Sequence, residues 1–107
     1  MEHSRSYRDL IVWQKSIALV GKIYSSTRSF AREEMYGLTS QIRRAGISIP
    51  ANIAEGQARN SEGEFLQFLG IAQGSLAELE TLLTISQNLG YPTSTDAEGL
   101  LGDCEEI

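Results

Sequence analysis

One segment of the chain limits its possible folds more than any other. Between residues 33 and 58, apolar side chains recur at helical spacing along two neighbouring stripes, which are Leu38, Ile42, Ala45, Ile49 and Ile53 on one and Ile47, Ala51, Ala54 and Ala58 on the other. A helix over this segment would be about 39 Å long at 1.5 Å per residue. Because so wide an apolar arc has to be covered on several sides, the segment predicts a helix bundle or an oligomer.

Pro50 lies inside that segment. Proline removes one backbone donor and disfavours helical backbone at the residue before it, which is Ile49. The sequence therefore predicts a kink in this helix near residues 46–50, or a break there.

Two further segments have the same periodicity, and no segment alternates as a β-strand does. A helix over about 7–28 is predicted by the stripe Leu10, Trp13, Ile17, Val20, Tyr24 and Thr27. A helix over about 62–89 is predicted by Ser61 and Glu64, which form a capping box, and by Gly90 as its terminating residue. Its apolar stripe is Phe65, Phe68 or Leu69, Ala72, Leu76, Leu79 and Leu83.

The last segment, about 95–106, predicts only a short helix. It would span about 18 Å beside partners near 40 Å, and Gly99 and Gly102 weaken it further. The 107 residues fit one domain, 1–107. We therefore predict an all-α fold, an antiparallel up-down-up-down four-helix bundle with a short or incomplete fourth helix.

Charge is divided along the chain. Residues 1–60 contain all nine Lys and Arg and five acids, whereas residues 61–107 contain nine acids and no basic residue, so the net charge of -5 combines +4 with -9. Such a division is typical of a basic face for an anionic partner, or of internal neutralisation when a basic hairpin packs on an acidic one. The sequence leaves both alternatives open and slightly favours the second.

Residues that commonly bind metals or act as nucleophiles are scarce in this sequence. One cysteine, Cys104, and one histidine, His3, supply neither a disulfide nor a structural metal site. A carboxylate site built from Glu55, Glu78 and Glu80 is disfavoured, because residues two apart do not share a helix face. We predict no catalytic residue, no metal and no cofactor. The absence of an apolar stretch of about 18 residues and of a signal-peptide pattern predicts a cytoplasmic protein that does not contact a membrane.

Polar residues form a third stripe between the two apolar stripes of the second helix: Gln41, Arg44, Ser48, Asn52, Glu55 and Arg59. One interpretation is a groove for a ligand or nucleic acid, and the other, which we favour, is an internal hydrogen-bond ladder that sets helix register. The ladder hypothesis predicts that Asn52 and Glu55 are buried and that Arg44 or Arg59 pairs with the carboxylate.

Several basic residues form a candidate nucleic-acid patch near the first hairpin, namely Lys22, Arg28, Arg32, Arg43 and Arg44. Arg43 lies one position off the polar stripe and is predicted to face outward. The alternative is an ordinary solvated helix surface. Gly70 and Gly74, one turn apart, would let another backbone approach and are candidate interface residues of a homo-oligomer. Tyr7, Trp13 and Tyr24 are predicted to be core or interface aromatics.

Four blocks carry a family resemblance: YRDLIVWQK from Tyr7, YGLTSQIRR from Tyr36, SIPANIAEG from Ser48 and AQGSLAELE from Ala72. In this order they resemble the four-helix-bundle proteins encoded in intervening sequences of bacterial large-subunit (23S) ribosomal RNA genes. The resemblance implies a bundle often assembled as a pentamer, without enzymatic activity. It also extends to the accessory variability protein of diversity-generating retroelements, which associates with a reverse transcriptase and with nucleic acid. Arg43 and Arg44 match the paired arginines of the family.

Two functions follow as hypotheses. The first is an oligomeric accessory protein that binds RNA or DNA through its arginines. The second is a protein-interaction scaffold, in which apolar faces that include Gly70 and Gly74 build a homo-oligomer and dock another protein, such as a reverse transcriptase.

Overall fold

A computed structural model describes residues 6–91 and 94–107, with the backbone alone at 94–98. Four α-helices follow one another, α1 (Ile11–Thr27), α2 (Leu38–Gln57), α3 (Glu62–Asn88) and α4 (Ser94–Glu105). Each helix packs on the next, and α4 returns against α1, so the four occupy the corners of a bundle with extents of 49 × 20 × 18 Å. The predicted all-α, up-down-up-down bundle is confirmed, and the described residues contain no strand.

The first two helices begin later than their periodicity predicts. Tyr7–Asp9 forms a separate 3-10 turn, and the extended backbone of Leu10 divides it from α1. A second 3-10 turn, Arg32–Glu34, precedes α2. The carboxylate of Glu34 nevertheless accepts a hydrogen bond from the amide of Leu38 at 3.3 Å, so it satisfies a free donor in the first turn of α2.

Both ends of α3 agree with the sequence signals. The Ser61 hydroxyl accepts a hydrogen bond from the Glu64 amide at 3.1 Å and so caps the helix. At the other end Gly90 has φ of +87°. The amide of Tyr91 donates to the carbonyl of Ser86 at 2.7 Å and that of Gly90 to the carbonyl of Gln87 at 3.1 Å, which is a Schellman motif. Pro92, which we also expected beyond this helix end, lies outside the described residues.

Pro50 does not interrupt α2, which is continuous from Leu38 to Gln57. The alternative of a break is therefore wrong, while a kink stays a prediction. Ile49 and Ile53, on either side of Pro50, are each 1% exposed. Burial of these two side chains supplies about 1.5–3 kcal/mol each, which offsets the roughly 3 kcal/mol that an internal proline costs.

The buried face of α1 is rotated from the predicted stripe. Ser16, Leu19, Ile23 and Thr27 are buried, whereas Ile17 is 44% exposed. The hydroxyl of Ser16 donates to the carbonyl of Trp13 and that of Thr27 to the carbonyl of Ile23, both at 2.8 Å. Because local backbone acceptors satisfy them, these polar side chains can face the core.

In α2 the first apolar stripe is in the core, where Ile42, Ala45, Ile49 and Ile53 are buried. Most of the second stripe faces solvent: Ile47 is 43% exposed and Ala51 and Ala58 are exposed as well, while Ala54 is half-buried. One chain therefore covers only half of the apolar arc of α2.

Two glycines allow the helices to approach closely, and they are not the two that we predicted. A Cβ on Gly46 would lie 2.8 Å from the Cδ1 of Ile23, and one on Gly56 would lie 2.7 Å from the Cβ of Phe68. A Cβ on Gly70 or Gly74 would meet no atom within 4 Å. Within the chain, Gly46 lets α1 approach α2 closely, and Gly56 lets α3 approach it. Gly70 and Gly74 are on the outer surface, and their role in an oligomer stays a prediction.

Candidate nucleic-acid and interaction surfaces

The basic residues of α1 are engaged by the acidic α4. The Lys22 ammonium lies 2.9 Å from a carboxylate oxygen of Asp103, and the Lys15 ammonium lies 3.6 Å from one of Glu106. Part of the charge division is thus neutralised within the chain, by ion pairs on its surface, in agreement with the favoured alternative. Lys22 is exposed and its charge has a partner on α4, while its place in a nucleic-acid patch stays a prediction.

Arg43 does not face outward as predicted. Its Nε donates a hydrogen bond to the Thr27 hydroxyl at 2.9 Å, and its guanidinium carbon lies 4.4 Å from the centroid of the Tyr24 ring. Both partners are on α1, so the side chain fills the seam between α1 and α2. The prediction failed because helical spacing fixes only the angle between two side chains around the helix axis. The position of the neighbouring helix decides which side chains face it.

Three arginines of the predicted patch remain available. Arg28, Arg32 and Arg44 are exposed, and within residues 6–91 and 94–107 none of them forms an ion pair or a hydrogen bond through its side chain. Arg28 and Arg32 flank Phe30, which is 8% exposed and stacks on Tyr91 with ring centroids 5.4 Å apart. This aromatic contact anchors the connection between α1 and α2 and leaves the two arginines in solvent.

The same connection contains a residue that we did not single out. Tyr36 is 96% exposed, and its neighbour Met35 is 45% exposed. Its position outside every apolar stripe, directly before Gly37, is the sequence signal that could have identified it. Tyr7, Trp13 and Tyr24, which we predicted to be core or interface aromatics, are half-buried at the edge of the core. Tyr7 and Trp13 meet edge to face at 5.2 Å, and Tyr24 lies under Arg43.

The predicted polar ladder is only partly internal. Asn52 is half-buried, and its amide donates to the carbonyl and the hydroxyl of Ser48 at 2.8 and 2.9 Å. The prediction that Glu55 is buried is wrong, because its side chain is 54% exposed and pairs in solvent with Arg59 at 2.8 Å. The guanidinium of Arg59 also lies 4.9 Å from the ring of Phe68. Gln41 and Arg44 are exposed.

A hydrogen bond also joins the ladder to α3. The hydroxyls of Ser48 on α2 and Ser75 on α3 lie 2.7 Å apart. Within four residues of these two serines along the chain, Ile47 and Ala51 on α2 and Ile71 and Gly74 on α3 are exposed. We call these four residues the α2–α3 patch. It joins the outer stripe of α2 to one of the two predicted interface glycines.

The described residues include few groups that could catalyse a reaction or bind a metal. No group of three or more His, Cys, Asp or Glu within it could hold a metal ion, and His3 lies outside it. Burial, with smaller contributions from Glu80, Asp103 and Glu105, raises the pKa of the Cys104 thiol from 9.0 to about 12. The thiol therefore stays protonated near neutral pH, which lowers its reactivity as a nucleophile. None of the helices described is long and apolar enough to cross a membrane.

Fold and surface together define a small helical-bundle protein whose notable features are exposed arginines and an apolar patch. The comparisons give the family: the model of the 23S rRNA-intervening sequence protein family matches residues 8–107. The chain belongs to that family. It is also similar to the crystal structure of a protein of unknown function from the S23 ribosomal protein family of Bacteroides thetaiotaomicron VPI-5482. The TM-score is 0.82, with 29% identity over 90% of each chain. No curated protein matches this sequence.

Proposed function

We propose that the protein is a non-enzymatic, self-associating accessory protein of the cytoplasm that binds RNA. One observation carries the nucleic-acid part: Arg28, Arg32 and Arg44 are exposed and unpaired within the described residues, although the acids outnumber the bases in the chain. Arginines that have no acidic partner among the described side chains, unlike Lys15 and Lys22, remain able to neutralise phosphates. The name of the family supports an association with RNA.

The connection between α1 and α2 suits RNA with unpaired bases. Arginine donates two parallel hydrogen bonds to a phosphate, and an exposed tyrosine offers a flat face on which an unpaired base can stack. Arg32 and Tyr36 are four residues apart on this connection, and both are exposed. A phosphate contact and a stacked base would therefore fall on neighbouring nucleotides.

The test is fluorescence anisotropy with a labelled RNA hairpin that has a single-stranded loop, at two salt concentrations. We expect the Arg28→Ala/Arg32→Ala variant to bind more weakly and to reduce the slope of log affinity against log salt by about 1.4–1.8, since each lost phosphate contact removes about 0.7–0.9. Lys15→Ala/Lys22→Ala is the matched control. It removes the same charge from residues that already have acidic partners, and we expect a smaller change.

Absence of binding at low salt would disprove the RNA role, as would equal losses in the two double variants. A duplex DNA of the same length, used as a competitor, separates binding to unpaired bases from binding to a duplex, and a DNA hairpin with the same loop separates RNA from DNA. We expect the duplex to compete poorly, because it offers no unpaired base to Tyr36.

The α2–α3 patch favours a second candidate function, a protein-interaction scaffold. Exposed apolar side chains that lie together on a surface are typical of sites that bind other proteins. We propose that this patch joins copies of the chain, with a pentamer as the favoured assembly, and that the assembly docks another protein such as a reverse transcriptase.

Light scattering after size exclusion at micromolar concentration tests the assembly. Ile47→Lys/Ile71→Lys should lower the mass, and Thr84→Lys, an exposed change on α3 about three and a half turns from Ile71, should leave it unchanged. A monomer for the unmodified chain would disprove self-association and leave the RNA experiment to be judged separately.

A further inference from the structure

Two acids of α4 occupy the two lysines of α1. The Lys22 ammonium lies 2.9 Å from a carboxylate oxygen of Asp103, and the Lys15 ammonium lies 3.6 Å from one of Glu106. Lys15 and Lys22 are seven residues apart, only about 20° short of two full turns, so they share one face of α1. We call these four side chains the lysine–acid seam.

The lysine–acid seam is not what holds α4 in place. Leu100 and Cys104 of α4 are 3% and 1% exposed, and such burial is the main source of packing stability. The four charged side chains of the seam are in contact with solvent, at 32% to 66% exposed. Ion pairs with this exposure are weak and are screened by salt. They can therefore break while α4 keeps its position on the bundle.

A cleft of about 150 Å³ lies along the lysine–acid seam. The four charged side chains line it, together with Ala18 and Leu19. A water molecule in the liquid occupies about 30 Å³, so the cleft has room for several waters and the charged groups are not packed tightly. A phosphate group can therefore approach the lysines when the carboxylates turn away.

The two lysines are on the helix that leads to the exposed arginines. Arg28 directly follows α1, and it lies about 9 Å further along the axis than Lys22 and about 120° around it. Lys15 and Arg28 are about 20 Å apart along the same axis. In a nucleic-acid duplex the phosphates of one strand follow one another about every 3.4 Å. An RNA stem of about eight base pairs that crosses α1 obliquely is thus long enough to contact both.

We propose that Lys15 and Lys22 are a second segment of the RNA surface, and that the carboxylates of Asp103 and Glu106 occupy this segment in the absence of RNA. Phosphate oxygens accept the same charge-assisted hydrogen bonds from lysine that carboxylate oxygens accept. RNA has to displace both acids, so α4 lowers the affinity of the chain for RNA. The inference rests on the RNA role proposed above.

The test is a double-mutant cycle on the full chain, read by anisotropy with a labelled RNA hairpin whose stem has about eight base pairs. One pair of substitutions is Asp103→Asn/Glu106→Gln, which we call the acid-neutralised variant, and the other is Lys15→Ala/Lys22→Ala. We expect the acid-neutralised variant to bind about tenfold more tightly at low salt, because two further phosphate contacts become available.

The effect of the lysine substitutions should depend on the acids. In the unmodified chain we expect only a small loss of affinity, because both lysines are already paired. In the acid-neutralised variant the same substitutions should weaken binding about tenfold and lower the slope of log affinity against log salt by about 1.4–1.8.

Glu78→Gln/Glu105→Gln is the matched control for the acids. Both residues are exposed, and neither forms an ion pair with a described side chain. The control changes the net charge by the same amount but frees no lysine, so it should tighten binding less and leave the effect of the lysine substitutions small. Circular dichroism verifies that each variant is folded, and slow alkylation of Cys104 verifies that α4 is still in place.

Three results would overturn the inference. The first is an equal effect of the lysine substitutions in the unmodified chain and in the acid-neutralised variant. The second is an equal gain of affinity from the matched control, which would identify overall charge as the cause. The third is alkylation of Cys104 in the acid-neutralised variant at the rate of a free thiol, which would show that α4 has moved away.

The arginine double variant, Arg28→Ala/Arg32→Ala, separates this inference from the RNA role on which it rests. If that variant weakens binding and the cycle shows no coupling, the RNA role stands and only the competition by α4 is wrong. If neither the unmodified chain nor the acid-neutralised variant binds the hairpin at low salt, both are wrong.

Discussion

The guanidinium of Arg43 lies 4.4 Å from the centre of the Tyr24 ring and joins α2 to α1 across their seam. Removal of this side chain loses a cation–π contact and the hydrogen bond to Thr27. We expect Arg43→Ala to lower the free energy of unfolding by about 1–2 kcal/mol in a urea titration. Arg44→Ala, the exposed neighbour, should change it by less than about 0.5 kcal/mol. Equal effects of the two substitutions would contradict this role of Arg43.

The glycines of the bundle should divide into two groups when replaced by alanine. Gly56→Ala should destabilise by about 1–3 kcal/mol, because the new Cβ would lie 2.7 Å from the Cβ of Phe68, which is fixed to its backbone. Gly46→Ala should cost less, because it meets the far end of the Ile23 side chain. Gly70→Ala should stabilise by about 0.5–1 kcal/mol, since it adds helix propensity in open space. Thermal unfolding of the three variants gives the order.

The hydrogen bond between Ser48 and Ser75 is suited to a double-mutant cycle. Each single change to alanine leaves one half-buried hydroxyl without this partner, so we expect a loss of about 1 kcal/mol for each. The double variant should cost clearly less than the sum of the two, because both hydroxyls are then absent. Strict additivity in urea unfolding would show that the 2.7 Å contact contributes no coupling energy.

Thr39 is 2% exposed, and within the described residues its hydroxyl has no hydrogen-bond partner. Valine has the same shape without the buried polar group, so Thr39→Val should raise the free energy of unfolding by about 1 kcal/mol. Thr81→Val is the control, because Thr81 is exposed and its hydroxyl donates to the carbonyl of Ala77. If Thr39→Val destabilises the protein instead, the hydroxyl has a partner in solution.

The buried thiol of Cys104 predicts a pH dependence. Burial raises its pKa to about 12, against 9.0 for an unperturbed thiol. Below about pH 9 the thiol is protonated whether the chain is folded or not, so the stability is unaffected. Between pH 9 and 12 the unfolded chain releases this proton and the folded chain retains it, so the stability falls as the pH rises. Cys104→Ala should reduce the slope of unfolding free energy against pH in this range.

A matching kinetic measurement is alkylation of the folded protein at pH 8. We expect iodoacetamide to react with Cys104 only as fast as the chain opens, because the reactive form is the thiolate. Reaction at the rate of a free thiol would contradict the burial.

Most of the fold could be predicted from periodicity and caps. The capping pair Ser61 and Glu64, the terminating Gly90 and the short fourth helix all have local causes, so the sequence alone identified them. The starts of α1 and α2 were less predictable, since the 3-10 turns at Tyr7–Asp9 and Arg32–Glu34 differ from a helical turn by a small change in backbone angles.

The candidate sites were less predictable, because a surface depends on what each residue meets across the bundle. By itself, the sequence determined that the chain would be a four-helix bundle with basic and acidic halves, because helix periodicity, caps and charge are local or additive properties. Only the tertiary structure decided that Arg43 lies between α1 and α2 and that Lys22 has an acidic partner. It also decided that α3 approaches α2 closely at Gly56, whereas Gly74 faces open space. The physical reason is that each helix can rotate about its own axis at little local cost, and packing against its neighbours selects the rotation.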